Sequence, residues 1–173
     1  MKKLLILLIF HFSLFVHSQE EALTSDNKIS FAFSPGIVVQ RNVFAEANLF
    51  IGKIVATDSP KVPNVGVTGF RVGIESDFNK TIAPKVGYEI AITVFALRLS
   101  AANYFQQGNS EFRLIPELGI SIGGRINLTY GYGISFNNRN LTDIGHHRVC
   151  LSFNLNRKLN EANKKLLSRT LKH

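Results

Sequence analysis

Strict alternation of apolar and small polar residues is what most limits how this chain can fold. Ile126, Leu128, Tyr130, Tyr132, Ile134 and Phe136 alternate with Asn127, Thr129, Gly131, Gly133 and Ser135, so a strand here has one apolar face and one polar face. The pattern recurs about eight times between Lys28 and Lys158, and no helical segment intervenes to cover the apolar face. Such a sheet needs a second layer or lipid against it. Closing it into a membrane-embedded barrel supplies the lipid and removes the exposed edges as well.

A secretion signal precedes the alternating region. Met1, Lys2 and Lys3 give a positive start, Leu4 to Phe10 are uninterrupted apolar residues, and Val16, His17 and Ser18 form a small-residue exit before Gln19. The run is broken by His11 and Ser13 and falls short of the roughly 20 residues a spanning helix needs, so cleavage near Ser18 and Gln19 is expected. The organisation expected is a signal peptide over 1–18, a barrel over 19–158 and a basic tail over 159–173. With 173 residues in all, there is room for one ordinary domain after signal removal.

Charge and cysteine content exclude several classes. The formal net charge is +8, of which Lys2 and Lys3 belong to the signal. Lys158, Lys164, Lys165, Arg169 and Lys172 in the tail stand against Glu161 alone. The barrel itself is then close to balanced, and a nucleic-acid partner is not expected. Cys150 is a lone cysteine and cannot form an internal disulfide.

Eight antiparallel strands are expected, at Lys28–Gln40, Val43–Ala56, Val65–Phe78, Ala83–Ile92, Phe95–Phe105, Phe112–Ile122, Ile126–Phe136 and His147–Asn156. The parity flips at Thr93 and Val94, as a tight turn requires. Gly123-Gly124 reads as a two-residue hairpin, and Asn137–Gly145 is the longest loop. The face opposite the apolar one carries Glu46, Glu75, Glu89 and Glu117 beside Arg71, Lys85, Arg98, Arg113 and Arg148. An eight-stranded barrel is only wide enough for side chains to fill it, so these nine residues are expected to form a structural ion-pair network in the lumen. Phe31, Leu49, Ile90, Leu118 and Tyr130 would then point outward.

Phe112 to Gly119, then Gly123 and Gly124, then Leu128 to Tyr132, resemble the closing strands of the small outer-membrane β-barrel proteins common in Bacteroidota. Gly69 to Glu75 and Pro84 to Glu89 are similar to the same group. The resemblance covers nearly all of the mature chain and implies a fold and an outer-membrane address, since that group largely lacks an assigned activity. Barrels of this kind usually finish on a strand with a terminal aromatic, whereas this chain continues beyond Asn156 to His173. In that tail Leu159, Ala162, Leu166 and Thr170 share one helical face. A basic amphipathic helix can lie on an anionic membrane surface, but the expectation is a frayed, solvated terminal helix.

Catalysis is not expected. His146, His147, Asp143 and Ser152 are the residue types of a nucleophilic triad, yet adjacent histidines on a strand point to opposite sides. The remaining histidines, His11, His17 and His173, provide no ligand cluster, so neither metal nor cofactor is expected. Cys150 reads as an inward space-filler. Two function classes follow from the pattern. The first is a non-enzymatic outer-membrane barrel with a side-chain-filled polar lumen, a structural or surface-interaction role, outer-membrane lipid around it and possible contact through loop 137–145; the sequence names no oligomeric state. The alternative is a soluble periplasmic, lipocalin-like barrel that holds a lipid or other hydrophobic ligand.

Overall fold

The computed structural model describes residues 28–57, 64–137, 141 and 143–170. The signal segment 1–18 lies outside the described residues, as does most of the Thr57–Asn64 loop. Nine strands follow in order: β1 (Ser30–Val39), β2 (Val43–Thr57), β3 (Asn64–Ser76), β4 (Thr81–Ile92), β5 (Phe95–Gln106), β6 (Asn109–Ile122), β7 (Ile126–Tyr132), β8 (Ile134–Ser135) and β9 (His147–Phe153), then helix α1 (Arg157–Thr170). Each strand pairs antiparallel with its neighbour, β5 pairs with β6, and β9 pairs with both β7 and β1, so eight strands close on themselves. The two-residue β8 stands apart from this ring in pairing with β6 alone. It keeps the β6 register of β7 beyond a break at Gly133, whose N–H donates to His146 O at 2.7 Å.

The registers fix the shape. From Ser30 the pairing runs through Gly52, Gly69, Glu89, Arg98, Glu117 and Gly131 to Arg148. Because the next residue, Val149, faces Val39, the path returns to β1 level with Gln40, from position 30 to position 40, a stagger of 10 residues. With about 3.3 Å of rise per residue and about 4.8 Å between strands, that stagger tilts the strands by about 40°. The 12 residues of β5 then cover about 30 Å along the axis, close to the thickness of a bilayer's hydrocarbon core.

The alternation sorts the side chains by polarity in an inverted sense. Phe31, Leu49, Ile90, Leu118 and Tyr130 point outward and are 61%, 46%, 37%, 63% and 54% exposed. Among the described residues, 20 buried polar or charged residues outnumber the 17 buried hydrophobic ones.

Apolar residues are buried at the two ends instead. At the end carrying the β1–β2, β3–β4 and β5–β6 turns, Val38, Phe44, Ala83, Ala102, Tyr104, Ile115 and Cys150 pack with Leu141 and Ile144. Those last two come from the 137–145 loop, whose described part folds over the barrel mouth. At the opposite end Ala32, Phe50, Val65, Val67, Ala91 and Ala96 pack around Leu159, the first apolar residue of α1. Ala162 and Leu166 extend that contact, Asn156 caps the helix by accepting from Leu159 N–H at 3.1 Å, and Asn163 donates to Gly123 O at 3.1 Å. The tail is therefore a docked helix that begins at Arg157, not a frayed one, because Leu159 completes a core that the strands leave open.

Two turns differ from expectation. Gly123 and Gly124 both adopt positive φ, 55° and 71°, and Arg125 N–H donates to Ile122 O at 3.0 Å. Pairing resumes only at Ile122 with Ile126, so the loop has an extra residue, Arg125, beyond the two expected. The sixth strand starts at Asn109 rather than Phe112, which brings Glu111 inside the barrel. Between β3 and β4, slight burial pushes the Asp77 carboxyl up, but backbone N–H groups of Asn79, Thr81 and Lys80 outweigh it and hold Asp77 below the usual range.

Candidate functional site

The lumen between the two apolar ends is where the described residues bury charge of both signs. Inward parity on five neighbouring strands delivers Glu46 from β2, Arg71 and Glu75 from β3, Lys85 and Glu89 from β4, Arg98 from β5 and Glu117 from β6, and β9 adds Arg148. All eight side chains are buried, and they balance as four carboxylates against four cations.

Glu46 sits at the centre. It accepts from Arg71 at 2.8 Å and from Lys85, and has Arg98 and Arg148 each at 3.8 Å. Across the β2–β3 ladder Glu46 faces Glu75 directly, a like-charged pair that would be destabilising by itself. Lys85 resolves the conflict by donating to both, at 2.6 Å to Glu75. Arg148 reaches the same Glu75 at 2.5 Å, and the Tyr104 hydroxyl donates to it at 2.8 Å. Glu89 accepts from Arg71 and from Asn127 at 2.7 Å, with Arg98 at 3.4 Å. Glu117 bridges Arg98 at 3.3 Å and Arg148 at 3.4 Å. These contacts join strands on opposite sides of the barrel, β3 to β9 and β5 to β9 among them.

Arg113 is not part of this cluster. It lies nearer the loop-covered mouth, pairs with Glu111 at 2.7 Å, and donates to Gly145 O at 2.6 Å. Glu111 also accepts from Leu141 N–H at 3.1 Å, so this second pair ties Leu141 and Gly145 to the barrel. The expected strand starts at Phe112, three residues after the observed start at Asn109, and so leaves out Glu111, although Glu111 shares parity with Arg113 and Glu117. Tyr104, Asn48, Asn127 and Asn154 are further lumen residues that the count of charges passed over.

Small residues make the room. A Cβ on Gly131 would fall 2.6 Å from Glu117 Cγ, 3.0 Å from Pro116 O and 3.3 Å from Arg148 Cγ. Gly131→Val is therefore expected to destabilise the barrel by about 1–3 kcal/mol through overpacking against two members of the network. Denaturant unfolding of the purified protein measures this, and a change below about 0.5 kcal/mol would contradict the packing described.

The structure does not assemble the triad residue types. Ser152 is inside the barrel, where Arg98 donates to it at 2.9 Å, whereas His147 is on the outer face, pairing with the Tyr130 hydroxyl and standing edge-on to Tyr132. His146 stacks on Tyr132 and contacts Gly133 O through Nδ1 at 2.9 Å. Asp143 accepts from Gln106 at 2.6 Å. Cys150 is buried beside Arg98 and Glu46. Among the described residues no group of three or more His, Cys, Asp or Glu is placed to hold a metal ion. The arrangement is suited to holding strands together across a narrow lumen. Set against known protein families, curated proteins and solved structures, the chain matches none.

Proposed function

We propose that this chain is a non-enzymatic outer-membrane β-barrel whose lumen is filled by its ion-pair network, with a structural or surface-interaction role. The carrying observation is the inverted polarity: an outward belt of Phe, Leu, Ile and Val around a lumen of paired charges. Water does not favour that arrangement, and hydrocarbon does. No helix among the described residues is long and apolar enough to cross a membrane, so the strands would do the crossing. Cross-lumen pairs and the apolar clusters at both ends support a barrel that does not conduct. A lipocalin-like barrel needs an apolar interior cavity, and the charges at the centre argue against it.

Membrane fractionation tests the reading. The protein is expected in the envelope fraction, extracted by detergent only, and expected to migrate faster on a gel when left unheated. Release into the osmotic-shock fraction would overturn the proposal.

A further inference from the structure

At the α1 end of the barrel, a groove of about 380 Å³ lies between the helix and the β4–β5 and β6–β7 turns. Its floor and walls are apolar, from Val65, Val94, Ile122, Ile126, Leu166 and Leu167. Among the described residues its charged lining is Arg125 and Lys164, with no acid. We propose that this groove binds one anionic glycerophospholipid from the surrounding leaflet, its phosphate between Arg125 and Lys164 and an acyl chain along the apolar wall. The inference rests on the membrane reading above.

Three observations favour a lipid of the bilayer as occupant. First, the groove opens onto the apolar belt: Val94, Ile122 and Leu167 line it and are also exposed, as are neighbouring Phe95 and Ile120. An acyl chain can enter from hydrocarbon without crossing water. Second, its size falls at the lower end of ligand pockets, which run from about 300 to 1,000 Å³. Third, basic residues gather at this end among the described residues. Arg125, Arg157, Lys158, Lys164 and Lys165 lie here, and Glu161, the only acid of α1, is engaged by Arg157 at 2.9 Å. Basic pockets beside membrane segments select anionic headgroups for this reason. The extra residue in the β6–β7 loop is what places Arg125 at the rim, and the docking of Leu159 and Ala162 is what aims Lys164 and Leu167 at it.

The test uses the purified protein in neutral detergent, with phosphatidylglycerol and phosphatidylcholine of matched chains supplied as equal competitors and bound lipid counted by native mass spectrometry. The wild-type protein is expected to retain one phosphatidylglycerol in preference. A Lys or Arg near an anionic lipid surface contributes about fivefold in affinity, so R125Q/K164Q is expected to lower that preference by about 25-fold. Equal retention of the two lipids, or a preference unchanged in R125Q/K164Q, would overturn the inference. So would retention of neither, the result expected if the chain's own residues fill the groove. Flotation with phosphatidylcholine vesicles runs in parallel and separates the premises: a protein that inserts but shows no headgroup preference refutes the lipid site alone, and one that fails to insert refutes both.

Discussion

Replacing Lys85 by Met is expected to destabilise the barrel by about 3–5 kcal/mol, the range found when one partner of a buried ion pair is removed. Lys85 donates to both Glu46 and Glu75, and those two carboxylates are opposite each other across the β2–β3 ladder. Without the ammonium, three buried cations face four buried carboxylates, and the cross-strand pair Glu46 and Glu75 loses the cation that donates to both. Arg148 and Arg71 remain in place but are already engaged, by Glu75 at 2.5 Å and by Glu46 at 2.8 Å. Adding Glu46→Gln restores charge balance, so the double variant K85M/E46Q is expected to be more stable than K85M alone. Equilibrium unfolding in detergent gives all three values. If K85M costs less than about 1 kcal/mol, or if E46Q worsens it, the carboxylates are not coupled through Lys85 and the network described here is wrong.

The same cluster shows what a reader of the sequence can and cannot recover. Alternation carries the inside–outside assignment because side chains in a strand have period two, and a single parity change at Thr93 and Val94 keeps β4 and β5 in phase. The structure accordingly has a closed eight-stranded antiparallel barrel with Leu49, Leu118 and Tyr130 outward. Partner choice is not encoded locally. That Glu75 meets Arg148, 73 positions away, follows from closure of β9 on β1, and closure is set by the sum of all registers. Arg113 has the parity of the central group and yet sits apart, because barrel stagger places it level with Lys85 and Ala102 but toward the mouth where Glu111 lies.

Elements outside the alternation were the least legible. Leu141 and Ile144 occur in a polar stretch that reads as an exposed loop, and only the apolar residues at the barrel mouth, contributed by six strands, explain their burial. Leu159 likewise has a helical spacing that looks half-solvated in isolation. Its burial depends on a gap between Val65, Val67, Ala91 and Ala96 that no local pattern reveals. The β6–β7 loop shows a finer limit: the Gly-Gly pair signals the turn correctly, while the extra Arg125 reflects the parity that β7 needs in order to meet both β6 and β9.

Placing a charge on the outer belt is expected to divide the two environments open to this barrel. Leu49 pairs with Val72, and Val72 with Val86, in an outward row through the middle of β2, β3 and β4, and all three are about half exposed. In a bilayer, Leu49→Arg puts a guanidinium near the hydrocarbon midplane and is expected to destabilise by about 2–4 kcal/mol. The same substitution at Asn79, in the exposed β3–β4 turn, is expected to cost about 0–1 kcal/mol, because the penalty falls off toward the interface. A protein immersed in water would instead register the Leu49 change within about 0.5 kcal/mol, since it replaces an exposed apolar side chain by a soluble one. Unfolding measured after reconstitution in phosphatidylcholine vesicles distinguishes these outcomes. A Leu49→Arg barrel as stable as Asn79→Arg would mean that the apolar belt does not meet lipid, and the membrane reading would fall with it.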